Sequence, residues 1–183
     1  MTEELFRDFY ATHVADVWRF VRRRTASATE ADDVCADTFA VAWRRRVDIP
    51  AATARLWLFG VARRVLANHR RETERRGRLH LRLARYAAPP VSYEDEVPSE
   101  TALWRSLAAL SAGDRELLLM RAWDDLDVAD IAVVLEVSAT TVSSRLYKAR
   151  RRLARELERR DPPAAGHVLD DDRTERSRID DHS

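Results

Sequence analysis

Apolar residues recur every three or four positions from the start of the chain, which is the spacing of one buried helix face. The first helix is predicted over about residues 2–25. A second is predicted from Ser27 to about Arg46, because the sequence SATE places Ser27 and Glu30 at the spacing of a capping box. A third is predicted from about Thr53 to Arg85. Its inner face comprises Leu58, Ala62, Val65 and His69.

The pattern breaks at AAPPVSYEDEVPSE, residues 87–100, which hold three prolines and four acidic residues. Such a composition is typical of a flexible linker. We therefore predict an N-terminal domain over 1–86, a linker over 87–99 and a second domain over 100–160. Residues 161–183 are mostly polar and contain few apolar groups, so we expect a disordered acidic tail.

Shorter helices are predicted in the second domain, two of them beginning at the potential caps Ser111 and Asp127. The last two helices are separated by Glu136, Val137 and Ser138, and each is apolar on one side, which predicts a helix-turn-helix. Glu136 stands where a glycine with positive φ is common, at a cost of roughly 1 kcal/mol. The inward residues are Ile131, Ala132 and Leu135 in the first helix and Val142, Leu146, Ala149 and Leu153 in the second.

The absence of alternating strand patterns predicts an all-α fold made of two small helical domains. No apolar run reaches the ~20 residues of a membrane span, and the N-terminus has no signal-peptide pattern, so we expect a cytoplasmic protein without membrane insertion. The single cysteine, Cys35, fits a reducing compartment. No catalytic motif, phosphate-binding glycine loop or metal-spaced Cys/His set is present, so we expect no enzyme activity, cofactor or metal.

Basic charge is concentrated in two parts of a chain whose net charge is only +1. Residues 61–86 carry nine arginines against two glutamates, and residues 139–160 carry eight basic residues against two glutamates. The acidic tail has a net charge of −4. Two basic segments indicate two contacts with a polyanion, although solvated helix faces would have the same composition.

Each basic segment presents an ordered polar face. In the third helix, Arg64, Asn68, Arg71 and Arg75 fall on one face opposite the apolar one, where arginine can hold phosphates and asparagine can read a base edge. The last helix is predicted to enter the DNA major groove, with Arg145 reading guanine through two hydrogen bonds. Its outward residues are Thr141, Ser144, Arg145, Lys148, Arg152 and Arg155.

Acidic residues mark the second helix. Asp33 and Asp37 lie one turn apart with Asp32 beside them, and a less polar stripe of Val34, Thr38 and Val41 runs alongside. Acids next to apolar groups suit docking on a basic helical surface. Helix-dipole stabilisation accounts for acids in the first turn, but Asp37 lies too far along the helix for it.

Three stretches in this order resemble the sigma-70 family of bacterial transcription initiation factors, and specifically its two-domain extracytoplasmic-function (ECF) type. ADDVCADTFAVAWRRR, residues 31–46, resembles region 2.2, which binds the β′ clamp helices of core RNA polymerase. ARLWLFGVARRVLANHRRE, residues 54–72, resembles regions 2.3–2.4, which recognise and melt the minus-10 element. Residues 109–158 resemble region 4, which reads the minus-35 element.

The resemblance implies a transcription initiation factor that binds core polymerase, through β′ with region 2 and through the β flap with region 4. It also implies promoter DNA and an anti-sigma factor as partners. By this resemblance the loop 46–54 captures a flipped base, although it offers no clear pocket residue. The positions that match the family's polymerase-binding motif are Asp32, Asp33, Asp37, Thr38 and Phe39, of which Phe39, like nearby Trp43, is expected to lie in the core rather than at the interface. The candidate minus-10 residues on α-helical polar faces are Arg63, Arg64, Asn68, Arg71 and Arg75. The candidate minus-35 residues are Thr141, Ser143, Ser144, Arg145, Tyr147, Lys148 and Arg152, of which Ser143, Ser144, Arg145, Tyr147 and Lys148 match the family's positions.

Two other classes of protein compete with this interpretation. A stand-alone helix-turn-helix regulator would account for residues 109–160 but not for 31–76, and it predicts tight specific DNA binding without polymerase. A helical adaptor that binds only proteins predicts no salt-sensitive association with DNA.

Overall fold

The computed structural model describes residues 1–83 and 102–160. These residues form α-helices and contain no strand, which confirms the all-α prediction. The predicted linker and the predicted acidic tail lie outside the described residues. The helices are α1 (Glu3–Arg22), α2 (Ala28–Arg44), α3 (Ala54–Leu83), α4 (Ala102–Ala109), α5 (Ala112–Ala122), α6 (Val128–Leu135) and α7 (Ala139–Arg160), with a 3-10 turn (Ala51–Thr53) before α3.

Helix starts follow the caps that the sequence offers. Ser27 Oγ accepts a hydrogen bond from Glu30 N at 3.1 Å, as predicted, but the Glu30 carboxylate accepts from Ala26 N rather than from Ser27. Ser111 caps α5, which confirms that predicted start. Asp127 caps α6 and forms a full capping box with Asp130. Each such cap is worth about 1 kcal/mol, because it satisfies amide groups that have no partner within the helix.

One hydrophobic cluster joins the N-terminal half of the protein (α1–α3) to the C-terminal half (α4–α7). Phe20 of α1 and Phe59 of α3 stack at its centre with their ring centroids 4.4 Å apart. Ile131 and Val142 of the C-terminal half belong to the same cluster. The sequence predicted a separate core for each half, so this shared core is a finding of the structure.

Three side chains on α2 lie elsewhere than predicted. Val34 and Thr38, which were expected to form an apolar stripe beside the acids, are fully buried and cannot contact a partner. Trp43, expected in the core, is 37% exposed because it lies near the end of α2 and contacts Phe6 edge-on. No helix within the described ranges is long and apolar enough to cross a membrane.

Candidate nucleic-acid interface

Helices α6 and α7 form the predicted helix-turn-helix. Glu136 ends α6 in the left-handed conformation with a φ of 56°, as the sequence predicted for this position. The backbone then turns back, and Val137 N donates to Ala132 O at 3.1 Å. Ser138 begins α7, because its hydroxyl accepts from Thr141 N at 3.2 Å. Val134, which the sequence analysis did not place inward, is buried at this crossing.

The predicted reading face of α7 points to solvent. Arg145 and Lys148 form no ion pair with any described residue, so their charges are available to an anion. Tyr147 is exposed as well, and the Arg151 guanidinium lies 5.8 Å from its ring centroid. The exposed members of this face are Ser143, Ser144, Arg145, Tyr147 and Lys148.

Two residues assigned to the same face take part in the internal structure of the domain. The hydroxyl of Thr141 lies 2.8 Å from that of Ser138, so it belongs to the cap that begins α7. Arg152 donates to the carboxylate of Asp114 at 2.5 Å, and this pair ties α7 to the first turn of α5. Asp114 is buried, so the contact fixes the orientation of α7 against the domain.

The polar face of α3 is exposed as predicted, at Arg64, Asn68, Arg71 and Arg75. Arg63, beside it, is half-buried. Arg71 donates to the carbonyl of Ala67 within its own helix at 3.1 Å. Arg64 forms an ion pair with Glu136 of the helix-turn-helix. The structure thus brings the basic face of α3 next to the turn before α7. The sequence did not indicate that these two parts of the chain are neighbours.

The acidic face of α2 is exposed at all three aspartates. Asp32 accepts a hydrogen bond from Trp18 Nε1 at 2.7 Å, and Asp37 lies 2.8 Å from His69 Nε2 on α3. Asp33 forms no ion pair with a described residue, which leaves its carboxylate the most available of the three. Phe39 is buried at 5% exposure under Tyr10, as expected for a core residue, so its side chain lies apart from the exposed acidic face.

Cys35 is a buried core residue. Burial raises the pKa of its thiol, and the negative charge of Asp32 raises it further. The thiol therefore stays protonated at neutral pH, which fits a packing residue rather than a nucleophile or a redox sensor.

A cluster of charged residues between the halves was missed by the sequence analysis. Asp124, in the loop after α5, accepts hydrogen bonds from Arg23 and Arg24 at 2.6 Å each. Arg24 also pairs with Glu116 of α5 at 3.1 Å. The sequence features that could have indicated this cluster are the arginine run at the end of α1 and the paired aspartates after α5. No local pattern connects these two segments.

Both halves of the chain match sequence profiles of known families. Residues 9–76 match Sigma-70 region 2, and residues 100–153 match Sigma-70, region 4. Within the first match lie the acidic face of α2 and the polar face of α3. The helix-turn-helix lies within the second.

Relatives extend this similarity along most of the chain. The ECF RNA polymerase sigma factor SigL of Mycobacterium tuberculosis (strain ATCC 25618 / H37Rv) is 35% identical over 156 residues, which cover 81% of this chain and 86% of the relative. The RNA polymerase sigma factor YlaC of Bacillus subtilis (strain 168) is 27% identical over 162 residues, which cover 85% of this chain and 91% of the relative.

Two solved structures share the fold. CnrH, in complex with the cytosolic domain of CnrY, matches with a TM-score of 0.61 at 24% identity, covering 86% of this chain and 90% of CnrH. The sigma factor RpoE from Bartonella quintana, in complex with the anti-sigma factor NepR, matches with a TM-score of 0.61 at 20% identity. The match covers 84% of this chain and 96% of RpoE.

An acidic helix followed by a basic helix, and then a helix-turn-helix, is the architecture of a bacterial transcription initiation factor. The chain belongs to the sigma-70 family, as an ECF RNA polymerase sigma factor.

The turn of the helix-turn-helix offers a test of backbone strain. Glu136→Gly is expected to have a free energy of unfolding about 0.5–1 kcal/mol higher than that of Glu136→Ala, because glycine adopts the left-handed conformation without a Cβ clash. Its lost pair with Arg64 is exposed and contributes about 0–1 kcal/mol. Glu136→Ala is the control, because it loses the same carboxylate and keeps the strain. Equal stability of the two variants in urea denaturation would contradict the strain at this position.

Proposed function

We propose that the protein binds core RNA polymerase and directs it to promoters by contacting the minus-10 and minus-35 elements. The observation that supports this most directly is the polar face of α7. Arg145 and Lys148 are exposed on the second helix of a helix-turn-helix, while Val142 and Leu146 of the same helix are buried. A helix of this kind fits the major groove and presents donors to base edges and phosphates.

The proposed division of labour follows the three exposed faces. Residues 1–86 bind core polymerase through Asp33 and Asp37, with Asp32 beside them, against the β′ clamp helices. The same domain contacts the minus-10 element through α3, at Arg63, Arg64, Asn68, Arg71 and Arg75. Residues 100–160 contact the β flap and read the minus-35 element. The minus-35 residues are Ser143, Ser144, Arg145, Tyr147 and Lys148, with Thr141 and Arg152 at the edges of the face.

Several properties follow from this role. The polymerase performs the chemistry, so the protein acts without enzyme activity of its own. It works in the cytoplasm, because that is where the polymerase is. We further propose an anti-sigma factor as a partner, since CnrH and RpoE, which share the fold, were solved with CnrY and with the anti-sigma factor NepR respectively.

In vitro transcription with purified core polymerase and a library of genomic fragments tests the proposal. We expect specific transcripts only when the protein is added, from start sites that share two upstream elements. A stand-alone regulator would instead protect a specific site at physiological salt without polymerase. No specific transcript, together with such protection, would refute the proposed function.

Base reading by α7 has its own test. Arg145→Ala is expected to weaken promoter binding by about 1–3 kcal/mol and to relax the base preference at one step of the minus-35 element. The reason is that arginine can bind guanine O6 and N7 together. Lys148→Ala, the matched control on the same face, should weaken all sequences alike and lower the salt slope by about one unit. A promoter library transcribed by each holoenzyme measures both. Uniform loss with Arg145→Ala and an unchanged minus-35 preference would show that Arg145 only positions the helix.

A further inference from the structure

A cleft bounded by α3, α5 and α7 gathers positive side chains that have no counter-charge. Its volume of about 510 Å³ lies within the range of about 300–1,000 Å³ that is typical of small-molecule sites. Arg63 of α3 and Arg145 and Lys148 of α7 line it, and these three residues are here called the cationic group. None of the three forms an ion pair with a residue in the described ranges. Uncompensated positive charges from two separate helices therefore meet at one cavity.

The acidic residues of the cleft do not neutralise the cationic group. Asp114 accepts a hydrogen bond from Arg152 at 2.5 Å, and Glu116 pairs with Arg24 at 3.1 Å. Each carboxylate is thus already balanced by an arginine that does not belong to the cationic group. Like charges that are brought together repel one another, and an anion placed between them removes the repulsion. The cleft is therefore suited to an anionic ligand.

Arg63 favours a phosphate in particular. Its side chain is half-buried, and it also lines a neighbouring cavity of about 590 Å³ along α3. A charge that is partly withdrawn from water is costly unless a partner is supplied. The planar guanidinium can donate two parallel hydrogen bonds to two phosphate oxygens, whereas a spherical anion accepts at one point only.

The opposite side of the cleft is apolar. Leu117, Leu135 and Val137 line it, and these three residues are here called the apolar wall. Leu117 is buried, whereas Leu135 and Val137 are half-buried and keep part of their surface open to the cleft. An inorganic anion gains nothing from such a wall, but a flat ring gains by leaving water against it. The ligand that fits both sides carries phosphates at one end and a ring at the other.

The first turn of α5 borders the same cleft through Ser111 and Gly113. The N-terminus of a helix favours negative charge, which adds to the attraction of the cationic group. Gly113 leaves room for a ligand there, because a Cβ at this position would meet no atom within 4 Å.

We propose that this cleft binds a nucleoside triphosphate, with its phosphates at the cationic group and its base against the apolar wall. A mononucleotide matches the cleft in size and carries both the charge and the ring that the two sides require. Duplex DNA carries the charge but is too large for a cavity of about 510 Å³. Binding involves neither polymerase nor DNA, so this site does not depend on the proposed function.

Calorimetric titration of the full free chain, at physiological salt and without magnesium, tests the site. We expect ATP to bind with a Kd of about 1–100 µM, the range typical of a ligand of this size. Tripolyphosphate should bind at least about tenfold more weakly because it lacks the base, and adenosine more weakly still because it lacks the charge. Equal affinities for ATP and tripolyphosphate would overturn the base contact. No ATP binding up to about 1 mM would overturn the site.

A matched pair of variants at Gly113 shows where the nucleotide binds. Gly113→Asp places a carboxylate in the open space of the cleft and should weaken ATP binding at least about tenfold, because a negative charge then lies beside the phosphates. Gly113→Asn has the same shape without the charge and should stay within about twofold of the wild type. Both variants are expected to fold, since the acid is favourable in the first turn of a helix. Equal affinities for the two would overturn this location.

Arg63→Gln provides a second, independent variant. It removes the half-buried charge and should weaken ATP binding about tenfold. Its control is Arg150→Gln, which removes an exposed charge of α7 that lies outside the lining of the cleft. An equal loss in both variants would attribute binding to the net charge of the protein and would overturn the site. Circular dichroism identifies any variant that fails to fold, and the other pair then decides.

A bound nucleotide occupies Arg145 and Lys148, so it competes with DNA for α7, and this consequence rests on the proposed function. At low salt we expect ATP at ninefold its Kd to weaken binding of the free chain to a labelled minus-35 duplex about tenfold. The duplex comes from a promoter found by the transcription assay. Gly113→Asn should respond as the wild type does and Gly113→Asp should not.

Equal responses of the wild type and both Gly113 variants would overturn the competition between nucleotide and DNA. Failure of the proposed function is distinguishable from failure of the nucleotide site. It appears as the absence of specific transcripts while ATP still binds the free chain.

Discussion

Asp33→Arg is expected to weaken binding to core polymerase by about 2–4 kcal/mol, because a carboxylate facing a basic surface becomes a like charge in the same place. Asp33 is chosen over its neighbours because its side chain forms no ion pair within the described part of the chain. Asp37 has a partner in His69 and Asp32 has one in Trp18, so replacing either would also disturb the fold. A titration of labelled core polymerase measures the change.

The control is Glu158→Arg, which makes the same change of charge at an exposed site near the end of α7. It isolates the position of the charge from the change in net charge. An unchanged affinity for Asp33→Arg with normal helicity would contradict the assignment of α2 to polymerase binding. An equal loss in both variants would attribute the effect to net charge.

Phe20→Ala is expected to lower the free energy of unfolding by about 3–5 kcal/mol. Phe20 is fully buried, stacks on Phe59 and lies under the guanidinium of Arg24. Its removal leaves a cavity at the place where α1, α3 and the Arg24–Asp124 ion pair meet, and the stacked neighbours can fill it only in part. Urea denaturation followed by circular dichroism measures the loss.

Leu5→Ala is the matched control, since it truncates an apolar residue of the same helix that is mostly exposed. We expect a change within about 0.5 kcal/mol, because surface substitutions of this kind leave no cavity. A loss below about 1 kcal/mol for Phe20→Ala would show that the stacked pair is not central to the core.

Local patterns were sufficient for the helices and their starts. Ser27, Ser111 and Asp127 were recognised as caps because a cap acts on an amide only two or three positions ahead. The buried face of α7 was recognised because helical periodicity repeats within a few residues. The positive φ of Glu136 was expected because the turn of a helix-turn-helix requires it.

The same reasoning could not tell which residues on one helix face are buried and which are exposed. Phe39 and Trp43 lie four positions apart on α2, and periodicity treats them alike. Tyr10 of α1 covers Phe39, with ring centroids 4.7 Å apart, whereas Trp43 extends past the packed part of that surface. Which of the two is buried depends on where a neighbouring helix ends.

The sequence by itself determined the class of protein: an acidic helix, a basic helix and a helix-turn-helix in this order, each recognisable from residues close together in the chain. Only the tertiary structure decided how the two halves meet. Arg24 and Asp124 are about one hundred positions apart, and a charged residue at a helix end is equally compatible with solvent and with a buried partner. Pairing at that distance depends on the packing of α3 against α6, which no local interaction specifies.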